Sequence, residues 1–163
     1  MTRTPRTAGD QTTVAADLSD ADYTNLAETR RLLRRYIAFS ERAAEAAGLE
    51  PRQYQLLLAL RGLGRDGVAS ISELADWLQL RHHSAVGLVD RMQLRGLVNR
   101  RPDPLDGRRV LVEFTPTGRA ALASLAVQHR EELRRAAPAL IHVLRTQFVE
   151  PPASRHPTSI SSS

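Results

Sequence analysis

Ser70-Ile71-Ser72-Glu73-Leu74-Ala75-Asp76-Trp77-Leu78 and, after Gln79-Leu80, Arg81-His82-His83-Ser84-Ala85-Val86-Gly87-Leu88-Val89-Asp90-Arg91-Met92 decide the fold of this chain. Ser70 with Glu73 three residues on is a capping box: the serine oxygen accepts from a first-turn N–H, and the glutamate reaches back to the serine N–H. The spacing predicts a short helix that ends near Gln79, with Leu80 as the buried residue of a tight turn. A further helix is predicted from His82 to Arg95, because Ala85, Leu88, Val89 and Met92 form one apolar stripe. The opposite arc holds His83, Ser84, Gly87, Asp90 and Arg91. Two short helices joined by a tight turn, the second with a small, polar and basic outer face, read as a helix-turn-helix.

Outward from this pair, Gly96 caps the second helix and Leu97 to Arg101 reads as a strand. Pro102-Asp103-Pro104-Leu105-Asp106-Gly107 excludes regular structure and ends in Asp-Gly, a strong hairpin signal. Arg108 to Phe114 returns as a second strand with Val110, Val112 and Phe114 on one face, so a basic β-hairpin, a wing, flanks the helix-turn-helix. Thr115 and Pro116 suit the N-cap and first position of a helix whose apolar side includes Ala120, Leu122, Ala123, Leu125, Ala126 and Leu133. Pro138 is expected to kink or divide that segment, leaving Ala139 to Phe148 as a last helical stretch.

Toward the N-terminus, Pro51 to Leu63 reads as a helix with Tyr54, Leu57, Leu58 and Leu60 on its buried side, and Gly62, Gly64 and Gly67 open the loop that follows. A long first helix is predicted from Asp20 to Ala47, with Ser19 and Asp22 as a capping pair and Gly48 beyond its end. Leu26, Leu33, Ile37, Ala44 and Ala47 recur along it, and a long amphipathic helix near a terminus often packs on a partner chain. Residues 1–18 and 150–163 hold little apolar surface and are expected to be disordered tails.

The chain has 163 residues, 42% apolar and 25% charged, an ordinary balance for one domain or two small lobes sharing a core. No apolar run approaches the length of a membrane span, and no secretory h-region is expected in Met1–Thr13. Cysteine is absent, which excludes disulfides, thiolate zinc sites, cysteine nucleophiles and thiol redox sensing. All 23 residues counted as Lys+Arg are arginine, and the net charge is +5. Between Arg81 and Arg109, seven arginines face Asp90, Asp103 and Asp106, so this stretch carries +4 of the +5. A local basic cluster favours a polyanion partner.

The order of elements resembles the MarR-type winged-helix transcription regulators. Glu73-Leu74-Ala75, Leu88-Val89-Asp90-Arg91-Met92 and Arg95-Gly96-Leu97-Val98 follow the family pattern at its spacing. So do Arg101-Pro102-Asp103-Pro104, Asp106-Gly107-Arg108 and Phe114-Thr115-Pro116-Thr117-Gly118. The match is dense from about 70 to 118; the flanking helices agree by length and order only. His82 and His83 depart from the pattern, where small hydroxyl residues are common, and Arg81 replaces the usual Ser or Thr N-cap. The resemblance implies a mainly α fold with a small β-hairpin wing, an α+β winged helix-turn-helix with long N- and C-terminal dimerisation helices. The implied units are 19–50 for the N-terminal dimerisation helix, 51–115 for the DNA-binding lobe and 116–149 for the C-terminal dimerisation helices. It also implies a homodimer that binds a palindromic operator in double-stranded DNA with half-sites about one turn apart. Release by a small aromatic or phenolic effector is a common family property, as is repression.

Helix 82–95 is then the recognition helix in the major groove and hairpin 97–114 the wing in the minor groove. Candidate recognition residues are Arg81, His82, His83, Ser84, Gly87 and Arg91. Gly87 costs about 1 kcal/mol relative to alanine, reasonable if the backbone must approach base edges; a tolerated surface glycine is the competing reading. Arg91 suits a phosphate, against a solvated helix arginine. Arg81, His82 and His83 bring three donors to a helix start. A metal role for the histidine pair is disfavoured, because adjacent helical side chains diverge by about 100°. On the wing, the resemblance implies that Arg108 enters the minor groove with Asp106 orienting its guanidinium, against an exposed turn held by an Asp–Arg pair. Arg100, Arg101 and Arg109 read as backbone neutralisers. Tyr36, Phe39, Tyr54 and Arg42 are the effector-wall candidates, but aromatic residues on apolar helix faces are more often core, and no ligand site is assigned.

No cofactor is expected. An enzyme is not expected, because no nucleophile, phosphate-loop or metal signature stands in its proper context. The alternative is a winged helix used for protein contacts or as a nonspecific architectural DNA binder. A cytoplasmic, nucleoid-associated location follows as an expectation.

Overall fold

A computed structural model describes residues 18–63 and 67–148. The elements among them run α1 (Asp20–Ala46), α2 (Pro51–Leu63), β1 (Val68–Ser70), α3 (Ile71–Trp77), α4 (His82–Leu94), β2 (Val98–Pro102), β3 (Val110–Phe114) and α5 (Pro116–Phe148). Apart from Leu18, the two expected tails lie outside the described residues. No helix among the described residues is long and apolar enough to cross a membrane.

The helix ends follow local chemistry. Ser19 and Asp22 form the predicted capping box at α1, with Ser19 N–H donating to Asp22 Oδ2 at 2.8 Å. Gly48 takes a φ of +74°, a conformation that glycine adopts without strain, and Leu49 N–H closes back on the Ala44 carbonyl at 2.9 Å. The Ser70–Glu73 box opens α3, and Gln79 turns the chain toward α4 with a φ of +53°.

One core ties α2 to the wing. Leu56, Leu57 and Leu60 of α2 meet Leu74 of α3, Leu88, Val89 and Met92 of α4, and Val98 and Val112 of the sheet, all essentially solvent-free. Each such side chain contributes about 1.5–3 kcal/mol by leaving water. The stripe expected on α4 is the buried one; on α2 the buried position is Leu56, while Leu58 is half-exposed.

The wing differs from a lone hairpin. β1 pairs antiparallel with β3, Val68 opposite Glu113 and Ser70 opposite Leu111, so the sheet has three strands in the order β1-β3-β2. β2 faces β3 with Val98 opposite Phe114 and Pro102 opposite Val110. The return strand begins at Val110 rather than Arg108, because Arg108 and Arg109 belong to the turn that Arg109 N–H closes on the Asp106 carbonyl at 2.9 Å.

The C-terminal segment is also different. It is a single helix that continues through Pro138 rather than two helical stretches. Proline in a helix interior costs about 3 kcal/mol. Here its ring lies on an exposed face, and packing of α5 along α1 offsets the missing bond. Leu26, Leu33 and Ile37 of α1 are each about half-exposed in the single chain.

Candidate nucleic-acid interface

Burial of the apolar stripe of α4 leaves its other face to solvent. Arg81, His82, His83 and Arg91 are exposed, and Ser84 and Gly87 half-exposed. Arg81 is the N-cap residue but makes no side-chain cap; its carbonyl accepts from Ser84 N–H at 2.9 Å and Ala85 N–H at 3.1 Å. The first-turn N–H groups of His82 and His83 have no partner among the described residues, beside two imidazoles and a guanidinium. A methyl at Gly87 would meet only Arg91 Nη1 at 3.8 Å, an ordinary contact. Nothing among the described residues therefore demands glycine there, which leaves its reason outside them or makes it a tolerated surface residue.

The wing arginines divide by partner. Arg100 donates to Asp90 Oδ1 at 2.5 Å and to the Val86 carbonyl at 2.9 Å, which fastens β2 to α4; its Nε is buried without a partner among the described residues. It clamps α4 to the wing and is not the free side chain expected. Arg101 pairs with Glu113 at 3.0 Å, and Arg109 lies 3.4 Å from Glu73 and 3.8 Å from Asp103. Both arginines thus sit in partly exposed ion pairs of small net worth. Arg91 stands 4.0 Å from Glu50.

Arg108 is different. Its guanidinium has no hydrogen-bond or ion-pair partner among the described residues. Asp106 does not orient that guanidinium, as had been expected: Asp106 Oδ1 accepts from the Arg108 backbone N–H at 3.0 Å. The carboxylate therefore shapes the turn and leaves the cation projecting. Between the starts of α3 and α4 and the wing runs a groove of about 290 Å³, whose lining includes Ser70, Ser72, His82, Arg108 and Arg109. Glu73 at its edge is held below the ordinary carboxylate range by hydrogen bonds from Ser70, first its hydroxyl and then its backbone N–H.

Two features of the surroundings had no sequence signal. Arg95, the last residue of the recognition helix turn, reaches the α1–α2 corner, donating to the buried Gln53 Oε1 at 2.6 Å and to the Gly48 carbonyl. Gln53 Oε1 also accepts Glu50 N–H at 3.1 Å. The effector-wall candidates Tyr36, Phe39 and Tyr54 gather around buried His129, which stacks on Tyr54 at 4.2 Å. Its Nδ1 lies 2.7 Å from the Leu125 carbonyl, so that nitrogen carries the proton, and in the neutral ring Nε2 accepts from the Ser40 hydroxyl at 2.8 Å. Burial pushes the Tyr54 phenol up to about 12. Arg42 is exposed.

A family model described as the MarR family matches residues 47–109, from the α1–α2 corner to the wing turn. A solved structure of a probable transcriptional regulator from Pseudomonas aeruginosa is 33% identical, covers 72% of this chain and 88% of its own, and superposes with a TM-score of 0.57. The chain belongs to the MarR family. Within that family, the HTH-type transcriptional repressor NicR of Pseudomonas putida is 33% identical over 96 residues, 59% of each chain. The transcriptional activatory protein BadR of Rhodopseudomonas palustris is 36% identical over 85 residues, 52% of this chain and 49% of its own. The chain thus spans about half to three-fifths of the length of these curated relatives. The MarR-family match contains the whole of α4 and the turn that carries Arg108.

Proposed function

We propose that this chain is a dimeric, sequence-specific regulator of transcription that binds a palindromic operator, with α4 in the major groove and the wing in the minor groove. The observation that carries the reading is the distribution of exposed donors. Arg81, His82, His83 and Arg108 lack acidic partners among the described residues, and His82 at the start of α4 lines one groove with Arg108 of the wing. An α-helix fits the major groove, and a narrow minor groove attracts an inserted arginine. Ser84, Gly87 and Arg91 complete the helix surface; Arg101 and Arg109 serve phosphates by giving up weak ion pairs, and Arg100 and Asp106 set the wing's position and shape.

Repression is the default effect in this reading, as in the repressor NicR, although the relative BadR is an activatory protein. Dimerisation is supported by the half-exposed apolar residues of α1, with Leu133, Ile141 and Leu144 on α5. A small aromatic or phenolic acid is the effector class. Supporting it is a groove of about 260 Å³ between α1 and α5, where Tyr36 stands with Arg35 and Arg135. The site of action is the nucleoid, in the cytoplasm.

The test is a salt-titrated binding assay on a duplex recovered from a randomised library, comparing the wild type with Arg108→Ala. The variant should bind roughly tenfold or more weakly. If Arg108→Ala binds that duplex as the wild type does, the wing is not the minor-groove element and the interface is wrongly drawn.

A further inference from the structure

Leu105 is 95% exposed, the most exposed of the large apolar side chains among the described residues. Only Leu94, at 88%, comes near it. The half-exposed residues of α1 and α5 lie along two packed helices, whereas Leu105 stands alone at the wing apex, three positions before Arg108. Single surface leucines are common, so exposure alone decides nothing. The construction of the apex does.

The loop holds Leu105 in place. Pro102 and Pro104 restrict the backbone on either side of Asp103. Asp103 Oδ1 accepts Leu105 N–H at 2.9 Å, and Asp103 N–H donates to the Arg109 carbonyl at 3.0 Å. The Asp103 side chain is only 10% exposed and lies 3.8 Å from Arg109. Asp106 turns to the Arg108 N–H. Both carboxylates are thus engaged by the loop itself, and the apex offers one apolar side chain next to one unpaired guanidinium.

We propose that Leu105 is a second minor-groove residue, packed against the deoxyribose walls beside the inserted Arg108. This deepens the DNA-binding reading above and rests on it. A minor groove offers apolar sugar surface flanking a negative floor, and architectural proteins use leucine there together with arginine. The pairing of Leu105 and Arg108 on a loop stiffened by two prolines and two aspartate turns fits that surface: the cation takes the potential, and the leucine takes the wall. Its role is affinity for a narrow groove without reading a base edge.

The test compares the full-length wild type, Leu105→Ala, Leu105→Met, Leu105→Asn and Arg108→Ala on the labelled library-selected duplex across a salt series. Leu105→Ala and Leu105→Asn are expected to weaken binding roughly tenfold for each wing engaged, and Leu105→Met to restore most of it. Because the contact is apolar, the slope of log affinity against log salt stays at the wild-type value in the Leu105 variants. Melting temperatures stay unchanged too, since the side chain is almost fully exposed. Unchanged affinity in Leu105→Ala, while Arg108→Ala is impaired, overturns the inference and leaves the DNA-binding reading intact. A shallower salt slope in Leu105→Ala also overturns it, because the leucine would then act through the placement of charge. A wild type that shows no preference for the selected duplex overturns the DNA-binding reading, and this inference with it.

Discussion

Gly118 has no room for even a methyl group. A Cβ there would sit 2.0 Å from the Leu97 carbonyl oxygen, because the first turn of α5 lies directly against the start of β2. Thr115 completes the lock: its hydroxyl is 2.6 Å from the Gly96 carbonyl and accepts Gly118 N–H at 3.0 Å. Gly118→Ala should therefore destabilise the chain by about 1–3 kcal/mol, read as a lower denaturant midpoint. Gly62→Ala, where nothing lies within 4 Å, should leave it unchanged or raise it. Equal stability of Gly118→Ala and wild type would contradict this packing. The Thr-x-x-Gly pattern was legible in the sequence, but its cause, a backbone approach between segments twenty residues apart, was not. The arginines teach the same lesson. The resemblance set Arg108 apart from Arg100, Arg101 and Arg109, read as backbone neutralisers; what the sequence did not show is that Asp90, Glu113 and Glu73, from elsewhere in the chain, engage those three and leave only Arg108 of the four without a partner among the described residues.

Among the elements, α3 and α4 were the most legible, because a capping box and a four-residue apolar stripe are local signals that tertiary packing reinforced. β1 was not: three residues beside a helix cap have no measurable period, and only pairing with β3 makes them a strand. Pro138 misled for the opposite reason, since its local preference was overridden by the packing of α5 on α1. The α3 cap also titrates. Hydrogen bonds from Ser70, aided by Arg109, hold the folded Glu73 carboxyl below its ordinary 4.5. A depressed folded value means the contribution is full above the unfolded value and is lost as pH falls through the folded one. Melting temperatures measured from about pH 6 down to about pH 3 should therefore fall below roughly pH 4.5. Glu73→Gln should lose less over that window, because its side chain cannot be protonated there. A variant that loses stability in parallel with the wild type would show that the cap carboxylate is not responsible.

For the whole molecule, the two long helices and the DNA-facing lobe make one argument. Leu26, Leu33 and Ile37 on α1 and Leu133 on α5 were readable as parts of apolar stripes, and with Ile141 and Leu144 they remain half-exposed in the single chain. A two-fold partner would bury them and would repeat α4 and the wing at a fixed separation, so that protein symmetry is written into the operator. Arg95 on Gln53 and Gly48 joins the end of α4 to the corner where α1 ends, and in the proposed dimer that contact would connect the partner-facing helix with the DNA-facing one. That link had no sequence signal, because it joins residues more than forty positions apart. The most direct measurement is selection by the full chain from a randomised duplex library, followed by sequencing of the bound pool. A two-fold symmetric motif with half-site centres about one helical turn apart is the predicted result. Recovery of no enriched motif, or of an asymmetric site with a single half, would contradict the account.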